Sequence, residues 1–487
     1  MKSRTTKLAI IGVMMIACGV LMFAPQSAAE DGDRLATKDD ELNQALLAKL
    51  QQFGFTGDIE STLERRLGRP INQKLAEIGH DLWFDTVTGL NNDNTCAGCH
   101  SPTNGFGDTQ SIAIGIENNG IVGPDRAGPR NMRRSPIIIN SAFYPNLMWN
   151  SRFVSLSNDP FDNRAGFQFP APEGLLLSAM PHLLAAQAFI PPTERTEVTG
   201  FAFPGDSFAI RDEVLRRLNN IKGYRKLFGK VFPVVRNGGP ITFEMFGQAI
   251  AEFEFTLTFA NAPIDQFARG QKKALTEDEK KGALLFFGKA GCVECHAVSG
   301  QSNEMFSDFK DHVIGIPQIA PLLTNNNFDG PGVNEDFGRE EITLDPNDRY
   351  KFRTSPLRNV AMQTTFFHNG AFTTLEAAIR HHLDVFASAR SYNPAAQHLD
   401  TDLTGPTGPI EPVLARVDPI LATPILLQED EFLQLVEFVR NGLLDSRAEP
   451  KHLRKLVLSS VPSGRPVLIF QFKRKHDSSD DGRFNQN

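Results

Sequence analysis

Two Cys-x-x-Cys-His pentads, Cys96-Ala97-Gly98-Cys99-His100 and Cys292-Val293-Glu294-Cys295-His296, constrain the fold of this chain more than any other feature. At this spacing two thiols reach the two vinyl groups of one haem while the adjacent imidazole reaches its iron, so the chain must fold around a large flat macrocycle. Of the five cysteines only Cys18 falls outside the pentads. A zinc ribbon made from both pairs leaves His100 and His296 without a purpose, and a redox dithiol requires no following histidine. The sequence therefore predicts two covalently bound haem c groups, held by Cys96, Cys99, Cys292 and Cys295, with His100 and His296 as iron ligands.

Haem c is attached outside the bacterial cytoplasm, and the N-terminus fits export. Lys2, Arg4 and Lys7 precede an apolar run from Leu8 to Ala24, and Ser27-Ala28-Ala29 offers a small-x-small cleavage site. This predicts a signal peptide over 1–29 and a periplasmic mature protein. A lipoprotein anchor at Cys18 is the weaker reading, because the apolar run continues past Cys18. An uncleaved anchor is disfavoured, since the run falls short of the roughly 20 residues that a spanning helix needs. Removing Lys2, Arg4 and Lys7 with the leader moves the formal net charge from −7 to −10, which argues against a nucleic-acid partner and favours a basic protein partner. The 38 phenylalanines, against four tyrosines and two tryptophans, suit apolar packing around large cofactors.

The pentads divide the chain into halves of similar plan. Leu75 to Asp85 has helical spacing of apolar residues and leads into the first pentad, and Thr276-Glu277-Asp278-Glu279 reads as a capping box opening a helix that ends near Cys292. Each half closes with a helix, Phe243 to Phe259 in the first, and in the second a stretch with Phe432, Leu435, Val436 and Val439 on one face. The segment Asn261 to Lys273 reads as an extended linker, and Lys473 to Asn487 as a disordered tail. The expected fold is mainly α, two cytochrome c-like haem domains with long loops. Its expected parts are an N-terminal helical extension over 30–74, a first haem domain over 75–270 with an insertion at 154–182, a second over 271–450, and a C-terminal tail over 451–487.

Several segments carry a family likeness. Ile78 to Asp85 resembles the "LGxxLFxD" lead-in of the bacterial dihaem cytochrome c peroxidase and MauG family, Pro145 to Arg152 its "FWDGR" segment, and Phe352 to Val360 its "FKVPxLRNV". Phe366-Phe367-His368-Asn369-Gly370, followed by Thr374-Leu375-Glu376-Ala377-Ala378, is similar to "YFHDG…TLEEAV". The resemblance implies two haems in separate roles, the first binding peroxide and the second passing electrons from an outside donor. In many members a histidine shortly after the first pentad closes the resting peroxidatic iron. Here no His or Lys occurs from Ser101 to Pro181 and Ile116 stands about where that histidine would be, so an open site is expected, with Met132, Met148, Met180 and His182 as alternative ligands.

The resemblance also implies roles for single residues. Gln187 to Val198 looks like the family run that carries the catalytic glutamate, which makes Glu197 the expected acid and base, with Glu194 as fallback. Trp149 matches the tryptophan lying between the haems, and Arg152 and Arg358 look like partners for haem propionates. Fourteen positions after His368, where the peroxidases place Met and MauG places Tyr, stands His382 beside His381. A histidine there lowers the potential of the second haem. Met362 is a competing thioether. The family's calcium, held by an Asn in an "RNxP" run and by main-chain carbonyls, would fall on Asn131, Gln363 and Thr365, although Pro129 to Pro136 holds two residues too many. The expected activity is reduction of hydrogen peroxide with electrons from a small periplasmic cytochrome c or cupredoxin. The alternatives are MauG-like oxidation of a partner protein and a non-enzymatic dihaem carrier, and a homodimer is compatible with the sequence.

Overall fold

Two helix crossings, one in each half of the chain, organise the molecule in the same way. In the computed structural model, which describes residues 27–169, 177 and 179–472 with side chains from residue 39 onward, the helix Gln73–Phe84 lies against Phe243–Phe255. A β-carbon on Gly79 would overlap the carbonyl oxygen of Ala249 and come within 2.9 Å of Phe253 Cβ, so only glycine lets the backbones meet here. The second half repeats the device. Helix Glu277–Phe286 lies against Glu429–Glu437, where a β-carbon on Gly282 would overlap the Gln434 carbonyl oxygen and approach Phe438 Cβ to 2.8 Å. Gly79→Ala should therefore lower the thermal midpoint, at a cost of about 1–3 kcal/mol for forcing extra volume into a closed contact. Gly282→Ala should do the same, and unchanged midpoints would show that the crossings open freely.

The caps follow the sequence. Asn72 Oδ1 accepts the Leu75 N–H at 3.2 Å. In the second half Thr276 Oγ1 accepts from Glu279 N at 3.2 Å and Glu279 Oε2 accepts from Thr276 N at 2.7 Å, the reciprocal capping box that was expected. Phe432, Leu435, Val436 and Val439 are all buried, as their spacing predicts. The closing helix of the first half ends earlier than its apolar run suggests, at Phe255.

The molecule is mainly helical with long loops, and its few strands are two or three residues long. Two hydrophobic cores correspond to the halves. One gathers Leu82, Trp83, Phe84, Phe106, Phe143, Phe246 and Phe253, and the other Leu46, Leu50, Ala283, Phe286, Phe306, Leu435 and Phe438. Residues up to 42 form a separate unit, whose described part is the start of the helix Ser27–Gln52. The leader's apolar run, Cys18, the segment 473–487, and residues 170–176 and 178 of the insertion lie outside the described residues. Among the described residues no helix is long and apolar enough to cross a membrane.

Two expectations change. The segment read as a linker contains a helix, Pro263–Ala268, with Ile264, Asp265 and Phe267 fully buried. Asp265 ends its first turn by accepting the Ala262 N–H at 2.8 Å, and the partner that draws it inward, Arg358, is distant in sequence. The stretch from 451 to 472 is not a free tail either. Leu453 and Val461 enter the first core, the Leu456 carbonyl oxygen meets His80 Nε2 at 2.6 Å, and Ile469–Phe470 pairs in parallel with Ile121–Val122.

Candidate functional site

The first pentad opens onto a cavity of about 460 Å³, within the usual range for ligand pockets. Cys96–Cys99 forms one helical turn, entered through Thr95, whose hydroxyl donates to the Trp83 carbonyl at 2.7 Å. Asn94 fixes the loop from both ends. Its Oδ1 accepts from Arg126 Nη2 at 2.9 Å, and its Nδ2 donates to the Glu197 carbonyl at 2.9 Å. His100 Nδ1 pairs with the Pro136 carbonyl oxygen at 2.9 Å, which leaves Nε2 for another partner. Burial lowers the His100 pKa to about 4, so its imidazole is neutral, the form that binds a metal.

Glu197 lines the same cavity. It sits in a single π-helical turn, Arg195–Thr199, a geometry that recurs at functional sites. Burial first, and the neighbouring Glu194 carboxylate second, push its pKa up to about 8, while Arg152 pulls it down. Arg152 Nη1 meets Glu194 Oε1 at 2.6 Å, and both residues line the cavity. Ile116 is buried beside them, its amide donating to the Thr196 carbonyl at 3.2 Å. Of the sulfur ligands considered, Met132 and Met148 line the cavity, whereas Met180 lies in the first core. His182 is spent: Nε2 meets the Ala142 carbonyl oxygen at 3.0 Å and Nδ1 accepts from Leu184 N at 3.1 Å.

Trp149 joins this cavity to the second half. It is 8 % exposed, its Nε1 donates to the Arg134 carbonyl at 2.9 Å, and its own carbonyl accepts from Arg353 N at 2.7 Å. Arg353 was not singled out from the sequence, although it lies in a quoted motif. Its Nη1 is buried, faces the cavity lining and has no hydrogen-bond partner among the described residues. That leaves a charge suited to an anionic group. Glu254 was also missed. It lines the cavity with Oε2 unpartnered, and burial raises its pKa to about 8. The clue was a carboxylate one helical turn beyond Ile250 on an apolar face.

Around the second pentad, His296 and His382 face each other with ring centres 6.2 Å apart. Two imidazole nitrogens each about 2 Å from one metal ion put their ring centres roughly 6 Å apart, so the pair fits the two faces of one iron. Each Nδ1 is tied to a carbonyl oxygen, Phe306 at 3.0 Å and Ala378 at 2.8 Å, which leaves both Nε2 atoms available. His381 is different, with Nδ1 on Ser388 Oγ at 3.0 Å and Nε2 on the Ile314 carbonyl oxygen at 2.8 Å. Met362 belongs to the first core, against Gly105, so it does not compete. His368 stacks on Phe352 with ring centres 3.6 Å apart and leaves Nε2 unpaired, 4.0 Å from Asp336 Oδ2. All four pentad thiols are unbridged. These arrangements fit a haem at each pentad.

Two sequence readings meet contacts that the sequence did not suggest. Arg358 is 1 % exposed and its guanidinium grips both oxygens of Asp265, at 2.7 and 2.8 Å, while Nε donates to the Glu304 carbonyl at 2.7 Å. It is an interior ion pair, with three of the five guanidinium N–H groups taken by protein oxygens. The calcium expectation meets a competing cation. The Thr365 carbonyl and the Gln363 side chain accept hydrogen bonds from the Arg134 guanidinium, a cation that would repel a metal ion there, and Asn131 lines the cavity with Oδ1 buried and without a hydrogen-bond partner among the described residues.

The fold is similar to that of two solved structures. It matches a MauG-like protein associated with microbial copper homeostasis (TM-score 0.55, 22 % identity, 78 % of this chain and 91 % of that one) and the diheme peroxidase BthA of Burkholderia thailandensis (TM-score 0.53, 21 % identity, 82 % and 91 %). In sequence the chain is 26 % identical over 323 residues to the methylamine utilization protein MauG of Methylophilus methylotrophus, covering 65 % of this chain and 74 % of that one. It is 27 % identical over 312 residues to the cytochrome c551 peroxidase of Pseudomonas aeruginosa, covering 64 % and 72 %. The protein is a haem-dependent oxidoreductase of the peroxidase type. More narrowly, residues 73–273 match the di-haem cytochrome c peroxidase family.

Proposed function

We propose that this protein reduces hydrogen peroxide to water in the periplasm, using electrons from a small cytochrome c or cupredoxin. The observation that carries this reading is Glu197, a half-buried carboxyl group on the cavity that also holds Cys96, Cys99 and the free Nε2 of His100. A haem attached there would supply the iron that binds peroxide and the electrons that cleave it. Glu197 takes a proton from one peroxide oxygen and returns it to the other, and the Arg152–Glu194 pair beside it sets how firmly that proton is held. The cavity lining supplies no second histidine and no lysine among the described residues, which supports an open sixth position. The repeated crossings and pentads support two covalent haem domains divided near residue 270, and the leader supports export.

The His296–His382 pair favours a second reading, MauG-like oxidation of a partner protein, because a bis-imidazole haem of low potential stores electrons poorly and tolerates oxidised states well. Electron paramagnetic resonance tests the open site on which both enzyme readings depend. The oxidised protein should give one high-spin and one low-spin ferric signal, and should bind cyanide before any reduction. Two low-spin signals, with cyanide binding only after half-reduction, would show that Met132 or Met148 closes the site. Low-spin signals that persist throughout would leave a pure electron carrier.

A further inference from the structure

We propose that Arg134 is a built-in cation, fixed in place of a metal ion at the junction between the two halves, and that it positions Trp149 without help from calcium. Arg134 is 4 % exposed. Its Nη1 donates to the Thr365 carbonyl, and its Nη2 to Gln363 Oε1 at 2.9 Å and to the Asp108 carbonyl at 3.3 Å. These acceptors are two main-chain carbonyls and one amide oxygen, drawn from both halves, which is the kind of oxygen set that a hard divalent cation uses. Here a guanidinium satisfies them. A second cation placed among them would face its charge at close range in a poorly polarisable interior.

The main chain of the same residue completes the junction. Arg134 N–H donates to the His368 carbonyl at 2.8 Å, and its carbonyl accepts the Trp149 indole N–H at 2.9 Å. One residue thus ties the 363–368 segment to the tryptophan on the cavity wall. The Asp108 carboxyl group is close: it is 1 % exposed and accepts from Gln110 N and Ser135 N, both at 2.9 Å. Burial lowers the Arg134 pKa to about 10, which still leaves the group charged at neutral pH. Unlike a bound ion, a guanidinium cannot dissociate. The junction is therefore permanent, and Arg134, which also lines the cavity, holds Trp149 through its main-chain carbonyl.

The test is made on the haem-loaded protein, and its first readouts do not depend on turnover. After dialysis against EGTA the wild type should contain iron but no stoichiometric calcium by plasma mass spectrometry, and its thermal midpoint should not change when calcium is added. Arg134→Asn exchanges the cation for an amide oxygen. That variant should bind calcium, lose about tenfold or more of its peroxide turnover in chelator, as expected when a buried hydrogen-bonding group is left unpaired, and regain turnover and thermal midpoint with calcium. Arg134→Lys, which keeps the charge, should be indifferent to calcium. One tightly held calcium per wild-type chain, or a wild-type midpoint that falls in chelator, would overturn the proposal. A folded Arg134→Asn variant that ignores calcium would overturn it too. If Arg134→Asn does not fold, the wild-type metal content decides.

Discussion

Replacing Glu197 by Gln should leave both haems in place and slow the reaction with peroxide by about 10²- to 10⁴-fold, the usual loss when a positioned acid and base is removed. Stopped-flow mixing of oxidised protein with peroxide measures this directly. The sign of the pH dependence follows from the surroundings of the residue. Burial and the Glu194 carboxylate raise the Glu197 pKa to about 8. The first proton transfer needs the carboxylate form, so the wild-type rate should climb as pH rises through that region, and the Gln variant should lose the climb. Glu194→Gln removes the repelling charge and frees Arg152 from its ion pair, and both changes favour the Glu197 carboxylate, so the climb should move to lower pH. An unaltered rate in Glu197→Gln, with Glu194→Gln inactive, would transfer the role to Glu194.

His382→Met should raise the potential of the second haem by on the order of 100 mV or more, because a thioether stabilises ferric iron less well than an imidazole. The native protein should accordingly show a low-spin bis-imidazole spectrum without the long-wavelength band of a thioether-ligated ferric haem, and the variant should gain that band. His381→Met separates ligation from packing. Successive helical residues point about 100° apart, and both His381 nitrogens are already hydrogen-bonded. Its replacement should destabilise the fold by about 1–3 kcal/mol per buried group left unpaired, with little change in potential. The reverse ranking of the two variants in a redox titration would assign the iron to His381.

What could be read from the sequence was what is local. The pentads, the Thr276 and Glu279 cap and the buried face of Phe432, Leu435, Val436 and Val439 are set by neighbours within a few residues, and each lies where its spacing places it. Glu197, Trp149 and Arg152 meet on one cavity, as the motifs suggested. The errors are all long-range. Asn261 to Lys273 reads as a linker because the partner that buries Asp265 is Arg358, and for the same reason Arg358 reads as a free guanidinium. Arg134 looks like one more basic residue in the run Met132-Arg133-Arg134, since nothing local shows that Thr365 and Gln363 are waiting for it. Arg353 and Glu254 escaped notice because an unpartnered buried polar atom exists only in three dimensions.

The pairing of Ile469–Phe470 with Ile121–Val122 bears on the order in which the molecule is finished. Chains usually complete their domains from the N-terminus as they emerge. Here the half that carries Glu197 waits for the last described residues, because Leu453 and Val461 fill its core and Ser463 hydrogen-bonds to Asp85 just after its first helix. The half with the first pentad is thus the later of the two to close. Clipping the chain beyond residue 450 would unfasten that half while sparing the second pentad, which is nearer in sequence.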